Sequence, residues 1–153
     1  MQDMNAYLIF NGNCRTAMEF YKQCLGGVLH MMSYSEAPGC SDLPQEYKDW
    51  IIHSRLTFKS TVLMASDTRP GMPVQQGNNF FISINCESIQ EVENLFKALV
   101  VKGEVNMPVQ ETFFATRFAM LKDQFGIKWM LNLEKPKLHD TVKIAAGQIE
   151  NHS

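Results

Sequence analysis

The chain has 153 residues, of which 45% are hydrophobic and 20% are charged, and its formal net charge at pH 7 is -2. This composition is typical of one soluble globular domain and excludes both a disordered chain and a membrane-spanning protein. Because the charge is slightly acidic and no dense basic segment is present, nucleic acid is excluded as an expected partner.

The first half begins with a strand and an amphipathic helix. The apolar run Ala6–Phe10 predicts a strand, and Asn13 stands where a side chain caps the helix that follows. The helix ends at the pair Gly26-Gly27, where a positive φ angle costs little. Its apolar stripe consists of Ala17, Phe20, Tyr21, Cys24 and Leu25. Three extended segments follow at 28–35, 51–58 and 61–66.

The second half repeats this order, with Ser88 standing 75 residues after Asn13. A strand is predicted at Phe80–Ile84, and Ser88 with Glu91 forms a capping box. The helix stripe before Gly103 consists of Val92, Leu95, Phe96, Leu99 and Val100. Extended segments follow at 104–113, 116–122 and 127–133. The repeat therefore predicts an α+β fold of two βαβββ modules, one at 5–67 and the other at 79–134.

Two segments fall outside the repeat. The insert at 36–50 is rich in Pro, Gly and acidic residues, and a loop of this length either covers a pocket or has no role. The C-terminal tail at 135–153 follows the second module, and its segment VKIAAGQI is compatible with a short helix or a strand. Docking on the domain, docking on a second subunit and fraying all stay open for this tail.

The four cysteines contain no CxxC pair, and no signal peptide precedes the first strand. We therefore expect a reduced, cytoplasmic protein. Cys24 lies on the apolar helix stripe and is interpreted as a core residue, whereas Cys40, in a polar loop, is a candidate reactive thiol.

Several stretches together resemble the vicinal oxygen chelate superfamily, which includes glyoxalases and bleomycin-resistance proteins. They are IFNGNCRTAMEFYKQCLGG, IIHSRLTF, VLMASD and QETFFATRFAMLKDQFGIKWMLN, and they are most similar to the PhnB-like branch. The resemblance covers residues 5–134. It implies a curved mixed sheet that forms a cup, a homodimer, and in many members a divalent metal ion that chelates two oxygens of a substrate.

The resemblance also identifies the positions at which metal-binding members supply their ligands. In this chain those positions are occupied by Ala6, Met64, Asn79 and Met130. None of the four is a carboxylate or an imidazole, the groups that hard divalent ions and zinc require. We therefore expect no metal at the usual place and no cofactor.

Two residues are candidates for acid–base chemistry. The first is His53, which lies within the strand IIHSRLTF. It has three interpretations: a partly buried, hydrogen-bonded histidine; an acid, base or ligand-orienting donor at the cup mouth; or a metal ligand.

The second is Glu111, which together with Arg117 flanks the aromatic pair Phe113-Phe114. These four residues are interpreted either as a site that fixes a polar group beneath two rings or as a surface ion pair beside them.

The remaining candidate ligand-binding residues lie on predicted strands. Ser66 and Asp67 end a strand, and the Asp67 carboxylate either caps the following loop or faces a ligand. Trp129 and Met130 alternate along the last strand, so that one of them faces the cup and the other the helix layer. Met64 and Met130 would give the cup a soft apolar lining.

Two principal functions follow from these features. The first is the binding of a small apolar or aromatic molecule by a homodimer without the usual metal. The alternative is a metal-independent enzyme of the isomerase or lyase type that uses His53 and nearby acids. A third possibility is a protein whose dimer surface matters more than its cup. PhnB-like proteins are sometimes labelled demethylubiquinone methyltransferases, but this sequence has no GxGxxG after a strand and no Rossmann alternation. The identity of the ligand is not predicted.

Overall fold

The chain divides into two units in a computed structural model that describes residues 1–40 and 42–136. Unit 1 comprises Met1–Ile82 and Gln124–Ile127, and unit 2 comprises Ser83–Asp123 and the described residues from Lys128 onward. Most of the predicted tail, including VKIAAGQI, lies outside the described residues. Within the described ranges, no helix is long and apolar enough to span a membrane.

Unit 1 contains one helix and a four-stranded mixed sheet. Its elements are β1 (Ala6–Phe10), α1 (Cys14–Leu25), β2 (Val28–Ser33), β3 (Ile51–Phe58) and β4 (Thr61–Asp67). The strand order is β1-β4-β3-β2, in which β1 runs parallel to β4 and the other pairs are antiparallel. The predicted bounds of β1 and β3 are confirmed. The predicted order of one βαβββ module is confirmed as well.

The core of unit 1 lies between α1 and one side of this sheet. Met18 and Tyr21 of α1 are fully buried, as are Leu56 of β3 and Ala65 of β4. A second apolar contact comes from the turn at 124–127, which belongs to unit 1. The ring of Phe125 lies 5.6 to 6.4 Å from three other rings, all in edge-on arrangements, namely Phe10, Phe20 and Tyr21. Such packing adds to the burial of apolar area.

The start of α1 is capped differently from the prediction. Asn13 makes no side-chain capping hydrogen bond. Instead the carboxylate of Asp67, at the end of β4, accepts hydrogen bonds from the backbone N–H groups of Gly12 at 2.8 Å and Cys14 at 3.0 Å. The expectation for Asn13 was wrong because a carboxylate 53 residues beyond Cys14 satisfies the free amides that a local cap would otherwise serve.

The insert after β2 contains two short 3-10 helices, Tyr34–Glu36 and Gln45–Tyr47. Trp50, at its end, packs edge-on against Tyr47 with 4.8 Å between ring centroids. The Trp50 ring also lies against Gly12, where an added Cβ would stand 2.9 Å from Cζ2. This end of the insert is therefore packed onto the turn between β1 and α1.

Unit 2 has a similar plan. Its elements are β5 (Ile82–Asn85), α2 (Ile89–Leu99), β6 (Glu104–Gln110), β7 (Ala115–Lys122) and β8 (Lys128–Glu134), with strand order β5-β8-β7-β6. Strand β5 begins two residues later than predicted. The predicted cap is confirmed, since Ser88 Oγ accepts a hydrogen bond from the Glu91 N–H at 3.1 Å. The Glu91 carboxylate, however, accepts from the N–H of Glu87 at 3.3 Å rather than from that of Ser88.

The core of unit 2 lies between α2 and one side of β7 and β8. Val92 and Leu99 of α2 are fully buried, together with Leu121 of β7 and Leu131 of β8. The edge strand β6 contains Pro108, which cannot donate a hydrogen bond to an added strand. The fold of two βαβββ modules, α+β in class, is therefore confirmed.

Two cysteines lie in this structure as buried thiols. Burial raises the pKa of Cys14 to about 12 and that of Cys86 to about 11. The Cys14 Sγ also lies 3.6 Å from Ser54 Oγ, beneath α1. At neutral pH both groups are therefore protonated and poor nucleophiles.

We expect iodoacetamide at pH 8 to leave Cys14 and Cys86 unmodified in the folded protein, because alkylation needs the thiolate. Peptide mass spectrometry measures the labelling, and the same reaction in urea is the control, in which all four cysteines should react. Since both pKa values are raised on folding from 9.0, their contribution to stability is complete below pH 9 and declines as the pH rises towards 11 to 12. Equal labelling of Cys14 with and without urea would contradict this assignment.

Candidate functional site

One side of the unit 1 sheet is not covered by α1, and we call it the first open face. Residues that pair across strands point to the same side of a sheet, and alternate residues along a strand share that side. The register therefore places eleven side chains on this face: Tyr7, Ile9, Val28, His30, Met32, His53, Arg55, Thr57, Val62, Met64 and Ser66.

A row of four side chains crosses the first open face. Tyr7 pairs with Met64, Met64 with Arg55, and Arg55 with His30. Large apolar side chains on this face remain accessible: Tyr7 is 44% exposed, and Ile9 and Met32 are each 45% exposed. The face thus combines accessible apolar surface with one arginine and two histidines.

Three predicted site residues lie on the first open face. His53 is exposed, and its ring lies 6.1 Å from that of Tyr7 at a tilt of 33°. Met64 is half-buried, and Ser66 is buried. His53 is therefore not the partly buried histidine of one interpretation, since its side chain is exposed beside a tyrosine.

Asp67, by contrast, does not face a ligand on this surface. Its side chain is 3% exposed on the helix side of the sheet. Besides binding Gly12 and Cys14, the carboxylate accepts a hydrogen bond from the N–H of Ile51 at 2.8 Å. Three backbone groups thus occupy its oxygens, so the ligand-binding interpretation of Asp67 gives way to a structural role.

Unit 2 also has one sheet side that is not covered by its helix, which we call the second open face. Met120 of β7 pairs with Met107 on one side and with Met130 on the other. Phe118 pairs with Gln110 and Asn132 on the same face. Three methionines in a row are a deformable apolar surface, since an unbranched thioether side chain adapts to irregular shapes.

An aromatic ladder adjoins the second open face at the turn between β6 and β7. The Phe114 ring lies 5.1 Å from the rings of both Phe113 and Phe118. Phe113 is 92% exposed and Phe114 is 48% exposed. The two predicted aromatic residues are therefore accessible to a ligand or partner.

The polar residues predicted beside this aromatic pair are not joined to each other. Glu111 is exposed and forms an ion pair with Lys135, with Oε1 3.3 Å from Nζ. Arg117 adjoins Phe118 in β7 and so points to the opposite side of the sheet, and its Nη1 donates to the Thr116 carbonyl at 2.7 Å. These two residues therefore do not form a common site on the open face.

Trp129 and Met130 divide between the two sides of the sheet, as their alternation predicts. Trp129 is 1% exposed, and its indole Nε1 donates to Asp123 Oδ2 at 2.8 Å. Its role is structural, because a buried indole N–H needs an acceptor. Met130 is the residue on the second open face.

The first two of the expected metal-ligand positions lie in unit 1. Ala6 pairs with Leu63, whereas Tyr7 pairs with Met64. Tyr7, and not Ala6, is therefore the β1 residue beside Met64 on the first open face. A neutral phenol and a thioether are weak donors for a divalent cation.

The other two positions have no stronger donors. Asn79 is exposed in a bend that precedes β5, and Met130 offers a thioether. Across residues 1–40 and 42–136, no group of three or more His, Cys, Asp or Glu side chains could hold a metal ion. The residues at these four positions do not fit the metal that the superfamily commonly binds.

Several residues on the open faces were not predicted as site residues from the sequence. Arg55 follows His53 by two residues in one strand, so alternation alone would have placed both on one face. His30 could not be found in this way, because its place beside Arg55 depends on the register between β2 and β3. Met107 and Met120 depend in the same manner on the pairing of β6 with β7.

The family model described as 3-demethylubiquinone-9 3-methyltransferase matches residues 2–132. The chain belongs to this family. Among its relatives is protein YjdN of Escherichia coli (strain K12), which is 29% identical over 141 residues, 86% of this chain and 95% of YjdN.

Solved structures share the fold of this chain. Protein PA1353 from Pseudomonas aeruginosa is 43% identical, with a TM-score of 0.80 over 89% of this chain and 100% of its own. The PhnB protein from Bacillus cereus is 22% identical, with a TM-score of 0.72 over 86% of this chain and 99% of its own.

The fold extends to more distant proteins. A glyoxalase/bleomycin resistance protein from Albidiferax ferrireducens shares it at 15% identity, with a TM-score of 0.57 over 87% of this chain and 100% of its own. The family match therefore confirms the resemblance to the PhnB-like branch, and these structures confirm the glyoxalase-like fold.

Proposed function

We propose that this PhnB-like protein binds a small apolar or aromatic molecule on the open faces of its two sheets, without the metal that its superfamily commonly uses. The observation that carries the proposal is that each face lies on the side of its sheet opposite its own helix and has accessible apolar side chains. Tyr7, Ile9 and Met32 are exposed on the first, and the second has half-buried methionines beside Phe114, which is 48% exposed. Soluble proteins rarely leave contiguous apolar surface in water unless it meets a ligand or a partner.

The second open face supports this proposal through its side-chain chemistry. The row of Met107, Met120 and Met130 is flexible and polarizable, and the ring of Phe114, which is 48% exposed and packs on the buried Phe118, supplies an aromatic contact. Lys122 and Lys128 pair with each other at one end of this surface, two residues along their strands from Met120 and Met130. An apolar or aromatic compound is the ligand class that such a surface favours.

We propose binding without a metal because of the chemistry of the available donor atoms. Thioethers at Met64 and Met130 are soft, weak ligands, and the amide of Asn79 and the phenol of Tyr7 do not replace carboxylates or imidazoles. We therefore derive no step through a metal ion.

The proposal is tested with N-phenyl-1-naphthylamine, a neutral apolar probe that fluoresces in apolar sites. We expect saturable binding, and we expect Met64→Gln or Met130→Gln to weaken it by about tenfold, the effect of replacing a buried apolar group with a polar one. The matched control is Met72→Gln, because Met72 is 57% exposed in the loop after β4 and lies on neither open face.

Circular dichroism and the unfolding midpoint establish that each variant is folded. The proposal is rejected if the fluorescence does not saturate, or if Met64→Gln and Met130→Gln both bind the probe as tightly as Met72→Gln does.

The alternative, a metal-independent enzyme that uses His53 and nearby acids, has less support. The Asp67 carboxylate is buried among three backbone donors, and Glu111 is paired with Lys135. His53 therefore lacks an acidic partner among its predicted neighbours. Nor do we adopt the methyl transfer named in the family description, since neither mixed sheet has the parallel βαβ alternation of a Rossmann cofactor site. The homodimer, the cytoplasmic location and the boundary at residue 134 stay predictions.

A further inference from the structure

We infer that the first open face binds an anionic group of the ligand, a carboxylate or a phosphoryl group, through Arg55 with His30 and His53 beside it. This inference rests on the proposed function and adds the charge of the ligand to it. The recognised molecule would then be an aromatic or apolar anion rather than a neutral compound.

Arg55 lies in the interior of the sheet, on β3, between β2 and β4. Arg55 is exposed, and within the described parts of the chain no hydrogen bond or ion pair engages its guanidinium. A guanidinium presents five donors in a planar fork that matches a carboxylate or a phosphoryl group. Its donors are therefore available to an anion.

The neighbours of Arg55 on this face include two histidines, whose ring N–H groups can donate hydrogen bonds to the same anion. His30 stands directly opposite Arg55 on β2, and His53 precedes Arg55 by two residues on the same side of β3. Both histidines are exposed. None of the eleven side chains on this face is an aspartate or a glutamate, although the whole chain carries a net charge of -2. Arg55 is thus the one formally charged side chain among these eleven, and two imidazoles stand beside it as further hydrogen-bonding groups.

An apolar body has a place beside this charge. Met64 lies between Tyr7 and Arg55 in the row that crosses the sheet, and Ile9 and Met32 are accessible on the same face. A ligand with its anionic group at Arg55 can therefore rest an aromatic ring on Met64 and Tyr7. This arrangement joins one polar anchor to an apolar platform, as small-molecule sites commonly do.

Three probes with one ring system test this inference by isothermal titration calorimetry: 2-naphthoate, 2-naphthyl phosphate and the neutral 2-naphthamide. We expect at least one of the two anions to bind about tenfold or more tightly than the amide, the scale of a charge-assisted hydrogen bond. We expect Arg55→Met to abolish that preference. Arg15→Met is the matched control, since Arg15 is exposed on α1, on the other side of the sheet.

The outcomes separate this inference from the proposed function. If the amide binds as tightly as both anions, or if Arg55→Met leaves the preference intact, the inference is overturned while binding of aromatic molecules stands. If none of the three probes binds, both are overturned. If one anion is preferred and Arg55→Met alone removes the preference, the inference holds, and the preferred anion identifies a carboxylate or a phosphoryl group as its source.

Discussion

Replacement of Asp67 by asparagine should lower the free energy of unfolding by about 3–5 kcal/mol, a large part of the stability of a domain this size. The carboxylate is buried and accepts hydrogen bonds from the N–H groups of Gly12, Cys14 and Ile51. An amide keeps one acceptor oxygen and turns an NH₂ group towards backbone donors. At least one buried N–H is then left without an acceptor, and the charge that favours the start of α1 is lost.

Urea unfolding followed by circular dichroism measures this loss. The matched control is Asp3→Asn, because Asp3 is exposed and precedes β1, and its effect should stay within about 0.5 kcal/mol. Hydrogen exchange gives a local readout, since the amide protons of Gly12, Cys14 and Ile51 should lose protection before those of α2. An Asp67→Asn protein as stable as Asp3→Asn would show that the carboxylate is not the anchor described above.

The second large effect is expected at Gly27, which joins α1 to β2. Its φ is +96°, and an added Cβ would stand 2.5 Å from the carbonyl oxygen of Thr57 and 2.8 Å from the Cβ of Phe58. Thr57 pairs with Val28, the first residue of β2, so the clash falls where the β2–β3 pairing begins. We expect Gly27→Ala to cost at least about 4 kcal/mol, combining the left-handed backbone with a displaced strand.

Gly26 provides a matched control one residue away. Its φ is +81°, but nothing lies within 4 Å of an added Cβ. Because its ψ is -166°, this backbone lies in a region almost exclusive to glycine, so Gly26→Ala should cost about 1–3 kcal/mol for the backbone conformation alone. Thermal unfolding of the two variants should show a clearly lower midpoint for Gly27→Ala. Equal midpoints would mean that β3 yields to the extra methyl group without cost.

Much of the fold could be predicted because its signals are local. The apolar run of β1, the stripe of α2 and the glycine after α1 each depend on residues close in sequence, and the structure confirms them. Ser88 is a local signal too, since it caps a helix that begins at the next residue. The start of α1 could not be predicted in this way, because its acceptor comes from Asp67, which is close only after β4 has joined the sheet.

For the candidate site, some of the residues could be predicted from the sequence, but the positions of their side chains on the sheets could not. Met64, Ser66 and Met130, which we predicted to bind a ligand, lie on the open faces of their sheets. The sequence could not show that Arg117 faces away from Met130, because a register irregularity between Ala115 and Arg117 interrupts the alternation along β7. Arg55 belongs to no recognisable sequence motif. Its place between His30 and Met64 is known only once the pairing of β3 with β2 and β4 is known.

The buried Asp67 carboxylate also makes the two modules unlike in how their helices are secured. In α2 the capping hydroxyl of Ser88 and the amide that it binds are three residues apart, so the N-terminal cap can form together with the first turn of the helix. In α1 the acceptor and the amide are separated by 53 residues. The duplicated architecture thus contains one helix of low contact order and one whose first turn is completed only after a long loop has closed.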